Sequence, residues 1–381
     1  MRDVHECGPG VRARRRASGC IGDRHRVYDL AEMKRLAGAV GTERDHVQPR
    51  VGLVGGRTAV QTAGRSRRAR YFARMDVIDW LLDSDPAIRW QAMRDLTDAV
   101  PAEIAAERAR VAHEGLGADI LARQEPDGSW RRGDGPAWAP TLYTLLLLRA
   151  TGVDPADPAV DAAVARLAAG FRWDEEFGSK PFFEGEVEPC INGGTLALGG
   201  YFGRPADSLA HRLLGEQLDD GGWNCKAPRS ARTSFHSLIC VLEGLLEYER
   251  AVGPAPEVTA VRRRGEDYLL ARGMFRRRST GEVAAPGFLR FSFPTRYHYD
   301  VLRGLDYLRA AGVVPDTRVA DAVGLVADRR QADGTWLLDD AHDDALGFAF
   351  GESIAEPSRW NTLRALRVLR WYEDGRPETA R

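Results

Sequence analysis

The sequence of 381 residues predicts an all-α protein made of about five pairs of helices, and three observations predict this class. First, a heptad that ends in Asp-Gly, one further residue and Trp occurs three times, each time after a segment with helical periodicity. Second, a more apolar helical segment follows each copy after a loop. Third, no segment keeps the alternation of a strand, and Gly and Pro lie mainly between the helical segments.

The three heptads read Gln124-Glu-Pro-Asp-Gly-Ser-Trp130, Gln217-Leu-Asp-Asp-Gly-Gly-Trp223 and Arg330-Gln-Ala-Asp-Gly-Thr-Trp336. Asp-Gly favours a tight turn, and the Gln side chain can bond the free carbonyls of a helix end. The Trp is expected to cover the joint between neighbouring helix pairs. We therefore assign the three tryptophans to packing and not to chemistry.

The earliest helices of the domain are predicted within residues 76–99 and 102–123. In 76–99 the apolar spacing predicts two short helices that separate at Ser84-Asp-Pro86, because the residue before a proline disfavours the helical region. The alanine-rich stretch 102–123 predicts one long helix that ends at the first heptad.

The second, more apolar helix of each pair is predicted to begin near Thr141, Ile191, Phe235, Tyr297 and Trp360. First helices are matched to two of these at 158–169 and 257–272.

The helix from Phe235, with Thr233 or Ser234 as its N-cap, would carry a polar stripe on an otherwise apolar surface, since positions three and four apart share a face. A polar stripe of this kind indicates the wall of a cavity. Its members are His236, Cys240, Glu243 and Glu247.

Charge is distributed unevenly along the chain. Residues 1–74 contain 17 Lys or Arg and 7 Asp or Glu, although the whole chain has a net charge of −1. With no sustained apolar period, 1–74 is predicted to be a disordered basic extension, and translation could also begin at Met75. The near-neutral total argues against nucleic acid as the main partner. Residues 75–375 are predicted to form the helical domain and 376–381 a short tail.

Neither a membrane span nor a disulfide framework is predicted. No apolar run reaches the roughly 18–20 residues that a membrane-spanning helix needs. The five cysteines form an odd set, and the chain lacks the apolar core of a secretory signal. Reduced thiols in a cytoplasmic protein are the expectation.

The heptad resembles the tryptophan repeat of squalene and oxidosqualene cyclases, which share an α/α toroid with the β subunits of protein prenyltransferases. The resemblance extends over about residues 76–375. It implies a toroid whose second helices form an inner ring around a cavity, while the heptads join the outer helices. It also implies an isoprenoid or another lipidic substrate.

One feature of the cyclases is missing. The resemblance implies a polyene protonated by the central Asp of an Asp-X-Asp-Asp motif, and this chain has no such tetrad. The nearest sequence, Asp339-Asp-Ala-His-Asp-Asp344, includes His342 but has the wrong spacing, and we interpret it as a solvated acidic loop. Whether the chain is a cyclase-like or prenyltransferase-like enzyme is therefore left open.

The resemblance to prenyltransferase β subunits implies a zinc site, because those proteins bind zinc through an Asp-X-Cys pair and a later His. Glu188-Pro-Cys190 stands in a comparable place, just before a second helix. If the second helices are parallel, their starts meet at one rim. The predicted zinc ligands are Cys190, Cys225, His236 and His298, and the alternative is that these side chains only pack.

The predicted substrate-binding residues are aromatic or polar and lie near the starts of second helices, where they could line a cavity or face a cation. They are Tyr143, Glu188, Arg296, Tyr297, Tyr299 and Asp300.

Three functions remain open. The chain could be an enzyme of this superfamily that uses a metal-assisted step, a non-catalytic toroid that binds a lipid or a peptide, or a scaffold with zinc as a staple.

Overall fold

A computed structural model describes residues 76–348 and 350–375. The predicted basic extension, 1–74, and the predicted tail, 376–381, lie outside the described residues. The described chain is mostly helical, which confirms the all-α class. Its α-helices are α1 (Val77–Leu82), α2 (Pro86–Leu96), α3 (Pro101–Ala109), α4 (Gly115–Ala122), α5 (Trp138–Thr151), α6 (Pro158–Gly170), α7 (Pro189–Tyr201), α8 (Asp207–Gly215), α9 (Phe235–Val252), α10 (Pro256–Leu270), α11 (Val301–Ala310), α12 (Ala320–Asp328) and α13 (Arg359–Asp374).

Two short strands, β1 (Trp336–Leu337) and β2 (Pro357–Ser358), pair antiparallel just before α13. The first helices of the pairs are α4, α6, α8, α10 and α12, and the second helices are α5, α7, α9, α11 and α13. The predicted break before Pro86 is confirmed, since α1 ends at Leu82 and the side chain of Asp85 caps α2 by accepting from Ala87 N–H at 2.8 Å.

Two helix predictions were wrong. The stretch 102–123 is not one helix, because the chain turns at Gly115 with a φ of +62° and the Asp85 carboxylate accepts from Leu116 N–H at 2.8 Å. The helix expected from Tyr297 begins at Val301 instead. Asp300 ends the preceding loop and caps α11 through Arg303 N–H at 2.7 Å, so residues 296–299 belong to a loop.

The heptads make the same contacts in each repeat. The indole N–H groups of Trp130, Trp223 and Trp336 donate to carbonyl oxygens of the preceding first helix at 2.8, 2.7 and 2.7 Å. The glycines of the Asp-Gly steps have φ values of +85°, +100° and +86°, which only glycine adopts without strain.

In the first two repeats the Gln side chain reaches the next first helix. Gln124 donates to the carbonyl oxygen of Ala163 in α6, and Gln217 donates to that of Val261 in α10, both at 2.8 Å. These two heptads therefore connect first helices that follow each other in the chain, α4 with α6 and α8 with α10.

Helices α7 and α9 pack backbone against backbone. A Cβ on Gly193 would lie 2.5 Å from the carbonyl of Cys240, and one on Gly244 would lie 2.4 Å from the Gly193 oxygen. A Cβ on Gly200 would likewise meet the Glu247 oxygen at 2.5 Å. Glycine at these positions thus sets the close approach of the two helices.

Helix α2 contacts both the last and the first of the second helices. Arg370 of α13 donates to the Asp95 carbonyl at 3.0 Å, and Arg367 donates to the Gln91 side chain at 3.2 Å. At the other end, the Trp90 indole donates to the carbonyl of Thr151 at 2.8 Å. Within the described ranges, none of the helices has both the length and the hydropathy to cross a membrane.

Candidate functional site

A cavity of about 750 Å³ lies among the second helices. Its walls come from α2, α3, α5, α7, α9, α11 and α13, together with the loop before α11. Part of the wall is apolar, with Leu147, Leu246, Phe293 and Trp360 among the lining residues. The predicted polar stripe of α9 is present in part, since Glu243 and Glu247 line the cavity.

The rest of the wall is strongly cationic. Nine arginines and four carboxylates line it. The arginines are Arg94, Arg108, Arg149, Arg250, Arg296, Arg303, Arg309, Arg364 and Arg367, and the carboxylates are Asp154, Glu243, Glu247 and Asp306.

Arg303 and Glu243 form a bidentate ion pair in the wall. Both guanidinium nitrogens that face Glu243 lie 2.8 Å from its oxygens, and Arg303 also donates to the carbonyl of His298 at 2.7 Å. Burial alone would raise the pKa of Glu243, but the Arg303 guanidinium holds this pKa below its ordinary value. Glu243 therefore remains ionised.

Asp306 is shared by several arginines. Arg309 donates to it at 2.9 Å, Arg367 at 2.7 Å, and Arg364 approaches within 4.0 Å. Burial would raise the pKa of Asp306, yet these guanidinium groups, Arg367 first, hold it well below the ordinary value. One carboxylate thus balances only part of the surrounding positive charge.

Three further arginines of the wall are incompletely paired. Arg108 donates to the Gly152 carbonyl at 2.8 Å and to the Tyr201 hydroxyl at 3.3 Å, but no described carboxylate forms an ion pair with it. Arg149 approaches Glu247 only to 3.8 Å. The buried Nε atoms of Arg149 and Arg296 have no hydrogen-bond acceptor among the described residues. The cavity therefore retains unbalanced positive charge.

Two of the six predicted substrate-binding residues, Tyr143 and Arg296, line this cavity. The Arg296 guanidinium carbon lies 4.4 Å from the centre of the Tyr143 ring, which is a cation–π distance, and Arg296 also pairs with the exposed Asp344.

The other four do not line it. Tyr299 is buried and donates to the Met274 carbonyl at 2.6 Å, while the Asp300 carboxylate accepts from the Ser292 hydroxyl at 2.8 Å. Tyr297 stacks on His298, and Glu188 lies beside Cys190.

The structure brings together two of the four predicted zinc ligands and adds Glu188. The sulfurs of Cys190 and Cys225 lie 3.1 Å apart, and a Glu188 oxygen lies 3.7 Å from the Cys190 sulfur. The donor atoms of these three residues all lie within 4.8 Å of one another. Contact with Cys225, together with burial, raises the pKa of Cys190 well above its ordinary value.

The two predicted histidine ligands lie beside each other, with ring centres 5.6 Å apart. Among the described residues, neither belongs to a set in which three donor atoms lie within 4.8 Å of one another. Nδ1 of His236 accepts a hydrogen bond from Tyr299 N–H at 2.9 Å, which leaves the proton of the neutral ring on Nε2. His298 stacks on His342 with a ring-centre distance of 3.6 Å.

Burial keeps these imidazoles neutral. It lowers the pKa of His236 to about 4, with Arg303 and His342 as further causes. It also places the pKa of His298 well below the ordinary value, assisted by the neighbouring histidines. A neutral imidazole can bind a metal or accept a proton.

Apart from Arg296, sequence reasoning missed the arginines of the cavity. One signal was present: Arg364 and Arg367 stand three residues apart on α13, between leucines and alanines of the same helix. Arginines at this spacing on an otherwise apolar helix indicate a charged interior face. No known family model and no curated protein sequence matches the chain.

Proposed function

We propose that this chain is an α/α toroid whose central cavity binds an amphiphilic anion, namely an isoprenoid or another lipidic molecule that carries a phosphate or carboxylate group. The toroid fold and the isoprenoid class come from the resemblance of the heptads to those of squalene cyclase-like and prenyltransferase-like proteins. The anionic group is inferred from the arginine-rich wall of the cavity, and this wall is the main observation in support of the proposed ligand.

Helix contacts support the toroid. The first two heptads join consecutive first helices, α7 packs against both α5 and α9, and α11 packs against α13. Helix α2 contacts α13 on one side and α5 on the other, so the last helix meets the beginning of the domain. A ring of second helices that encloses the cavity accounts for these contacts together.

Cavity size and composition support the ligand class. A volume of about 750 Å³ falls within the range of roughly 300–1,000 Å³ of small-molecule sites. The apolar and aromatic side chains suit a hydrocarbon chain. An uncharged polyene would leave the Arg108 guanidinium desolvated without a counter-charge and that of Arg149 with only the Glu247 carboxylate 3.8 Å away, which is unfavourable. A phosphate or carboxylate would provide that charge.

At the cluster of Glu188, Cys190 and Cys225, the proposed ligand is zinc. Two thiolates and a carboxylate are suitable zinc donors and leave a fourth position for water or a substrate atom. Zinc held by Glu188, Cys190 and Cys225 would supply Lewis-acid chemistry or activate a bound thiol or water.

The alternative, a toroid that binds without catalysis, is favoured by the carboxylates of the cavity. Glu243 and Asp306 are held ionised by arginines, so neither is suited to protonate a polyene. Cyclase-type proton transfer is therefore not proposed for this cavity.

Calorimetric titration of the full chain tests the proposal with two probes of the same hydrocarbon length, farnesyl diphosphate and farnesol. Farnesyl diphosphate is expected to bind at least about tenfold more tightly and to lose affinity as salt rises. Arg149→Gln should weaken this binding, whereas Arg278→Gln, on an exposed arginine outside the wall, should not. Equal affinity for the two probes, or binding of neither, would reject the proposed ligand class.

A further inference from the structure

Two cysteines that are distant in sequence have their sulfur atoms in contact. Cys190 lies in the first turn of α7, and Cys225 lies in the loop that follows the second heptad tryptophan. Their sulfurs are 3.1 Å apart. Both residues are half-buried.

The observed separation lies between those of two possible bonded states. A disulfide has an S–S bond of about 2.05 Å. Two sulfurs bound to one tetrahedral zinc at about 2.3 Å each would lie roughly 3.7–3.8 Å apart. The pair must therefore close by about 1 Å to form a disulfide, or open by a smaller amount to hold zinc.

Neighbouring contacts hold both sulfurs in place. The Ser237 hydroxyl of α9 lies 3.2 Å from the Cys225 sulfur and accepts from Cys225 N–H at 3.3 Å. On the other side, the glycine contact between Gly193 and Cys240 fixes the start of α7 against α9. Once one of the two cysteines has formed a mixed disulfide, the other, held beside it by the fold, attacks that disulfide far more readily than a separate thiol does.

We propose that Cys190 and Cys225 form a reversible disulfide by exchange with a low-molecular-weight disulfide such as glutathione disulfide. One protein thiolate attacks a sulfur of glutathione disulfide, which forms a mixed disulfide and releases one glutathione thiolate. The second cysteine, as thiolate, attacks the protein sulfur of the mixed disulfide and releases the second glutathione. The two cysteines lose two electrons and two protons, and glutathione disulfide is reduced to two glutathione molecules.

The disulfide removes two of the three donors of the cluster Glu188, Cys190 and Cys225. Oxidation and metal binding at this cluster therefore exclude each other. The disulfide itself is independent of the cavity ligand, and only its effect on zinc depends on the proposed function.

Peptide mapping of the full chain tests the disulfide. The protein, freed of metal with a chelator, is equilibrated in glutathione buffers from fully reduced to fully oxidised, quenched with acid and alkylated. Cleavage after Arg212 places the two cysteines in separate tryptic peptides. The expected result is a cross-linked pair of these peptides in most molecules under oxidising buffer, and its complete loss on reduction.

Matched variants provide the controls. Cys225→Ser should abolish the cross-link, and Cys240→Ser, on a third and buried cysteine, should leave it unchanged. The proposal is overturned if Cys190 and Cys225 are recovered as separately alkylated thiols, as two separate glutathione adducts, or as disulfides with Cys7 or Cys20. In a parallel arm, bound zinc should prevent the cross-link, and cross-linked molecules that still retain zinc would overturn the mutual exclusion.

Discussion

The indole nitrogen of Trp223 lies 2.7 Å from the carbonyl oxygen of Leu213, ten residues earlier in the chain. The same ten-residue hydrogen bond joins Trp130 to Ile120 and Trp336 to Val326. In each repeat a buried tryptophan satisfies a carbonyl in the last turn of a first helix and fills the joint behind it. The heptad is thus a structural unit that ends one helix and fixes its position.

Trp223→Ala is expected to destabilise the protein by about 3–5 kcal/mol, because the side chain is fully buried and its removal leaves a cavity. Trp223→Phe should destabilise the protein less than the alanine variant does, because it keeps an aromatic ring in the joint. Some loss should remain, because the Leu213 carbonyl is left unpaired. Urea unfolding measures both. A loss below roughly 1 kcal/mol for the alanine variant would be inconsistent with a structural role.

Gly193→Ala is expected to be destabilising, because the new Cβ would lie 2.5 Å from the Cys240 carbonyl and push α7 away from α9. Gly324→Ala is the matched control within helix α12, where an added Cβ meets no atom within 4 Å. There we expect a gain of about 0.4–1 kcal/mol through reduced entropy of the unfolded chain. Thermal melts of the two variants should therefore shift in opposite directions, and equal shifts would refute the close contact.

Arg303→Gln is expected to cost about 1–3 kcal/mol, because it leaves the half-buried Glu243 carboxylate without its partner. The double variant Arg303→Gln with Glu243→Gln should recover part of this loss, since no uncompensated charge remains. A double-mutant cycle in urea measures the coupling. Additive effects of the two changes would show that the pair is not coupled.

Stability is expected to fall as the pH drops from about 6.5 to about 4, because His236 titrates near 4 in the folded state. In this window the unfolded chain binds the proton and the folded chain does not, so the free energy of unfolding decreases with falling pH. One such group changes the free energy of unfolding by at most about 1.4 kcal/mol per pH unit.

His236→Asn tests this assignment, because an Asn oxygen can still accept from Tyr299 N–H. The variant should lose less stability on acidification than the original chain, as measured by urea unfolding at several pH values. His211→Asn, on an exposed histidine of α8, should keep the original slope. An unchanged slope in His236→Asn would contradict the assignment.

Several features were determined by the sequence alone. The Asp-Gly turns, the buried tryptophans and the break before Pro86 follow from preferences within a few residues, and the structure contains all of them. Helices at 158–170 and 256–270 were also predicted within two residues. Local periodicity and turn chemistry act within one or two helical turns, so they can be recognised without knowledge of the fold.

Other features were decided by tertiary structure. The stretch 102–123 carries a helical pattern, yet the helix breaks between Ala109 and Gly115. The Asp85 side chain, 31 residues before Leu116, caps a new helix there. The loop at 296–300 has helical spacing, yet the buried Asp300 ends it and starts α11.

The candidate sites depend on tertiary structure most of all. Cys190 meets Cys225 across 35 residues, and Arg303 meets Glu243 across 60. The positive charge of the cavity comes from arginines on six helices and one loop, although the net charge of the chain is −1. Helix packing decides which arginine faces which carboxylate, because the residues that surround each of them in sequence lie on other faces of the same helix.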